Sequence, residues 1–112
     1  MSRHTPVRAA QPLSTRRLLR SLLDLTGPDV LAHCRETTPW ASALYDGTRH
    51  LIELELTGED AALRAEALAQ LLPNAEFLIM GNIVADLAVD EHVVLDAQRH
   101  RLDLSVLTIA DA

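Results

Sequence analysis

Apolar and polar side chains alternate along the chain with two different periods, and the change of period divides it into elements. Leu18, Leu22 and Leu25 recur at helical spacing, widened by Leu19 and Leu23, with Arg17, Arg20 and Asp24 opposite. Ser14 is suited to cap this helix. Gly27-Pro28 ends it and predicts a second short helix, because proline fits a first turn; Val30, Leu31 and Cys34 then face inward, and Pro39 is the stop. Neither helix is long enough to hold without packing. Residues 13–38 therefore read as a helical appendage of a single domain spanning 13–112.

From residue 49 the period becomes two. Ile52, Leu54 and Leu56 alternate with Glu53, Glu55 and Thr57, which predicts a strand over 49–57 with one wet face. Thr57 and Asp60 resemble a capping box, with Asp in place of the usual Glu or Gln. It opens a helix over 59–72 that turns Ala61, Ala65, Leu68 and Leu72 inward, with Leu71 beside them and Leu63 off the stripe; Pro73-Asn74 closes it. The remainder is strand-like: Glu76 to Met80, Ile83 to Val89 and Leu102 to Ile109. His92 to Leu95 either extends the second of these or pairs with it, and Asp96 to Arg101 is polar enough to turn. Gly81-Asn82 reads as a two-residue hairpin or as a bulge. The expected fold is α+β: two short N-terminal helices followed by β-α-β-β-β, a mostly antiparallel sheet with a helix packed on one face. Residues 1–12 hold Pro6 and Pro12 with no apolar period, and read as a mobile tail.

The chain has 112 residues, the size of one domain, and is 48% hydrophobic and 23% charged, which places it with globular proteins. Its one cysteine excludes an internal disulfide framework and any multi-cysteine metal site. No apolar run approaches the roughly 20 residues of a membrane span. The first residues carry arginines without a hydrophobic segment, so no signal peptide is expected and the cytoplasm is the expected location. All ten basic residues are arginine which, beside 21 leucines and 16 alanines, reads as the codon bias of a GC-rich genome. Residues 1–24 balance at +4 and the rest at −10, for a net charge of −6. An acidic body disfavours nucleic acid, whose affinity comes mainly from neutralised phosphates. The basic N-terminal stretch is expected to fold back on that body, or else to dock an acidic partner.

No phosphate loop, His-Glu-x-x-His sequence, nucleophile elbow or calcium loop occurs, and neither a cofactor nor a metal is expected. His33 and Cys34 are adjacent and make no ready chelate; His92 and His100 flank a turn and can approach across a hairpin, although solvation is the plainer reading. Cys34, on an apolar face, is expected to pack. Asp86 stands out, since Val84 and Ala88 flank it on its own strand face. A carboxylate there is expected to be buried and to find a donor, in a salt bridge to Arg49 or His50 or in a ligand-binding role. Trp40, Tyr45, Arg49 and His50 cluster around the approach to the first predicted strand. With Asp86 they form a candidate small-ligand site, unless Trp40 merely fills the gap between helices and sheet.

The reading favours a non-enzymatic homodimeric binding or accessory module over an enzyme using Asp86 and His50 as an acid–base pair. The dimer follows from counting covers. The helix over 59–72 closes one sheet face. The other is expected to carry Leu51, Leu78, Met80, Val84, Ala88, Leu107 and Ile109 beside Glu53, Glu55, Asp86, Asp103 and Ser105. That face is too apolar to leave wet. Either the N-terminal helices fold across it in the same chain, or a second copy does.

Overall fold

Two hairpins and one helical crossover account for the whole sheet. The structure is a computed structural model that describes residues 11–27 and 29–111. Helix α1 (Leu13–Thr26) is followed by strands β1 (Val30–Ala41) and β2 (Asp46–Thr57). Helix α2 (Ala61–Leu71) then runs into a 3-10 turn at Leu72–Asn74, and strands β3 (Asn82–Asp96) and β4 (Arg99–Ala110) complete the chain. The crossover through α2 carries β3 beyond β4, so the antiparallel order is β1-β2-β4-β3. Among the described residues, no helix is long and apolar enough to cross a membrane.

The alternation expected in β2 is the backbone of the core. Ile52, Leu54 and Leu56 are buried on one face, where they pair with Leu104, Leu102 and His100 of β4 and with Cys34, Ala32 and Val30 of β1. Helix α2 lays Ala61 and Ala65 on this inner face; their small side chains let the helix approach closely, while Leu63 points away as expected. Leu68 is half-buried and Leu72 fully buried, so the expected stripe is present.

Several expectations are corrected. The α+β class stands, but one helix precedes the strands, and the order is α-β-β-α-β-β. The second helix, predicted up to Pro39, is strand β1. Val30 and Leu31 do not share an inward face: Val30 and Cys34 are buried with Ala32 between them, and Leu31 is 68% exposed. Spacing at 30, 31 and 34 suits a helix, yet 30, 32 and 34 suits a strand equally, and pairing with the strongly alternating β2 decides. Residues 13–38 are accordingly no helical appendage. Helix α1 is part of the core, with Leu18 and Leu22 fully buried beside Ala61, Ala65 and Leu72. It lies on the same face as α2, which removes the arrangement in which N-terminal helices cover the opposite face.

The capping box does not form. Asp60 is the N-cap of α2 without a side-chain cap bond, and its carboxylate lies 3.9 Å from Arg64 instead. Glu76 to Met80 is not a strand; Ile79 alone makes an isolated bridge to Asn82. Gly81 is not a bulge: Met80-Gly81 is a two-residue turn closed by the antiparallel bridge between Ile79 and Asn82, one residue earlier than expected, with φ +80 at Gly81 and Asn82 N–H donating to Ile79 O at 3.1 Å. His92 to Leu95 extends β3, which is one strand of 15 residues. Of the expected tail, only Gln11 and Pro12 are described, the rest lying outside the described residues; Pro12 O accepts from Thr15 and Arg16 N–H.

Candidate functional site

Four of the five candidate ligand residues divide between the two faces of the sheet, and Tyr45 lies in the turn before β2. His50 pairs with Thr37 and Val106 and points to the inner face, where it is 0% exposed. Thr15 Oγ1 lies 3.0 Å from its Nδ1, and Thr108 Oγ1 lies 2.8 Å from its Nε2. Each ring nitrogen therefore has a threonine hydroxyl as its partner, and the hydroxyl can turn to donate or accept according to the tautomer. The ring thus ties α1 to β2 and β4. Burial lowers its pKa to about 4, because the charged form would lose its hydration. With both nitrogens engaged and no exposure, His50 has neither the access nor the free lone pair that a general base needs.

Asp86 is exposed, contrary to expectation, and lies on the outer face. A register shift between Val84 and Asp86 resets the parity of β3: Val84 pairs with Thr108 on the inner side, and Asp86 pairs with Leu107 on the outer. Asp86 and His50 therefore face opposite sides, which removes the acid–base pair. The expected salt bridge to Arg49 is also absent; among the described residues, neither Asp86 nor Arg49 makes an ion pair.

The outer face gathers Trp40, Arg49 and Asp86. Trp40 is half-buried and pairs with Gly47; Tyr45 is exposed in the turn just before β2. Arg49, Leu107 and Asp86 form one row across three strands, with Leu107 in the middle only 7% exposed. The next row toward Trp40 reads Gly47, Ile109 and Ile83, and the row on the other side reads Leu51, Ser105 and Ala88. This half of the face is mainly apolar. In the other half, Arg99 donates from Nε and Nη2 to Glu55 at 3.1 and 3.0 Å, and Arg101 Nε donates to Asp103 at 2.8 Å. Arg35 lies 3.8 Å from Glu53, and Asp90 accepts from Ser105 of the bordering row. Of the residues expected on this face, Val84 is turned inward by the bulge, and Leu78 and Met80 lie outside the strands.

His92 Nε2 and His100 Nδ1 do approach, at 2.7 Å, one donating to the other. Among the described residues, no third His, Cys, Asp or Glu joins them to hold a metal. Cys34 is buried, as its apolar face implies; burial pushes its thiol pKa up, and its Sγ donates to Glu36 O.

One feature was not singled out by the sequence. A groove of about 570 Å³ runs between α1 and the segment before β3, lined by Arg16, Arg17 and Arg20 and by Leu78 and Met80. Leu78 is 97% and Met80 77% exposed, and Arg17 Nη1 donates to Met80 O at 2.7 Å. The basic bias of residues 1–24 was its only visible signal. Among the described residues, these three arginines form no ion pair with the acidic body.

No family model matches the chain, and no curated protein matches it. A chain from a solved structure described as "Virion of native gene transfer agent (GTA) particle" has a similar fold, with a TM-score of 0.51 at 17% identity. The match covers 95% of this chain and 89% of that one. At this identity the likeness is one of fold.

Proposed function

We propose that this protein is a non-enzymatic assembly module that associates with copies of itself, at the least as a homodimer, through the outer face of its sheet. The observation that carries the reading is the placement of both helices on one face, which leaves Leu51, Leu107, Ile109, Ile83 and Trp40 together on the other. Apolar side chains on a sheet face that no described helix covers, with Ile83 54% exposed among them, offer a partner surface to bury. The fold shared with a chain of a virion particle supports a role in a multi-subunit assembly of that broad kind. The acid–base alternative has lost its geometry, because His50 and Asp86 are on opposite faces.

Light scattering on the full chain across a concentration series tests this. The expected mass is at least twice the 12.3 kDa of one chain. A mass of one chain at every concentration overturns the reading.

A further inference from the structure

The row Arg49–Leu107–Asp86 places a cation and an anion on either side of a central apolar residue, about 10 Å apart across two strand spacings. Within the chain the two charges do not pair, and neither has another ion-pair partner among the described residues. A twofold axis lying along β4, between two sheets stacked face to face, exchanges the lateral positions of the β2 and β3 side chains. Arg49 of each copy then meets Asp86 of the other, twice, while Leu107 meets Leu107. We propose that the outer face docks a second copy of this chain in this orientation, with the reciprocal Arg49–Asp86 pairs setting its register.

The other half of the face says where the contact stops. Glu53, Glu55, Asp90, Glu91 and Asp103 outnumber Arg35, Arg99 and Arg101 there, and those arginines bind carboxylates of their own chain. The same axis would oppose Asp103 to Asp103 and Glu53 to Glu91, which repel. Stacked sheets cross at about 30°, so contact centred on Leu107 and Ile109 lets the acidic halves diverge. The apolar half supplies the burial and the two charges supply orientation.

This inference rests on the self-association proposed above, and charge reversal separates the two. Arg49→Asp and Asp86→Arg are each expected to reduce the native mass to that of one chain. Each single variant opposes like charges twice. An equimolar mixture opposes aspartates of one variant to arginines of the other, and is expected to return to the wild-type mass. Far-UV circular dichroism checks that each variant is folded; if either is not, the neutral pair Arg49→Gln and Asp86→Asn is used, each expected to weaken association. Single variants that associate as the wild type does overturn the register and leave self-association standing. Monomeric single variants whose mixture stays monomeric overturn it equally. A monomeric wild type overturns both proposals.

Discussion

The two faces of this sheet are built from the same strands to opposite ends. On the inner face the helices share one core with β2 and β4, and only polar groups with partners enter: His50 between two threonines, and His100 against His92. On the outer face no described helix arrives, and the residues sort along the strands, apolar toward Trp40 and charged toward Arg99. A sheet face meant only for water needs no such sorting, since alternating charge with small polar groups keeps it soluble throughout. On the proposed reading, the outer face has a partner of limited extent. Changes on the inner face should therefore cost folding, and changes on the apolar half of the outer face should cost association.

Neighbours on β4 sharpen that contrast most. Leu104 is fully buried on the inner face, and Leu104→Ala is expected to lose about 2–5 kcal/mol by urea unfolding, independent of protein concentration. Leu107→Ala, three residues on and facing the other way, is expected to lose less at low concentration. Its stability and its native mass should move together as concentration rises. Equal, concentration-independent losses at both sites would remove the functional distinction between the faces.

Acid should act on the inner face through His50. Its pKa is about 4 folded, against an ordinary value of 6.5 unfolded, so the unfolded chain binds the extra proton first as pH falls. Stability from keeping the ring neutral is complete above about 6.5, declines through the window, and is gone below about 4. The whole effect is worth about 3 kcal/mol. The carboxylates titrate in both wild type and His50→Asn, so the difference between the two proteins isolates the ring. That difference should shift in the variant's favour between these pH values, as followed by urea unfolding at each pH. A constant difference would mean that the ring is not buried as a neutral group.

Where sequence reading succeeded and failed follows the same geography. Strand β2 lies inside the sheet and keeps strict alternation, so Ile52, Leu54 and Leu56 announced it, and the outer-face residues Leu51, Leu107 and Ile109 could be placed by parity. The edge strands do not keep it. In β3 the register shifts at three points, and Val84, Leu87, Val89, His92 and Val94 point inward at alternating steps of three and two. That rhythm matches neither a strand nor a helix, and it is why Asp86 was assigned to a covered position. In β1 a shift between Cys34 and Glu36 hid a strand behind a helical spacing. The candidate site was legible in part: Arg49 and Asp86 were named, but their row across Leu107 depends on bulges that side-chain identity alone does not encode.

Gly47 marks a smaller effect at the outer edge of the apolar half. A Cβ there would stand 2.3 Å from Thr108 O, so backbone rather than a flexible side chain would have to give. Gly47→Ala is expected to cost about 1–3 kcal/mol in urea unfolding, the usual penalty for overpacking. An unchanged midpoint would mean that β2 and β4 can separate at this row without loss.

The smallest effect belongs to the charged half of the outer face. Glu55 accepts two hydrogen bonds from Arg99, yet both side chains are open to water, where the attraction is screened and offset by ordering two long side chains. Glu55→Gln is expected to leave the urea midpoint unresolved from wild type and, more tellingly, to leave the native mass unchanged. It removes a negative charge from the same sheet face as Asp86, from a region that the proposed contact avoids. Light scattering of Glu55→Gln beside Asp86→Asn reads the comparison directly: the first should match wild type and the second should associate more weakly. If both weaken association alike, the contact covers the whole face, and the division between its halves does not define the interface.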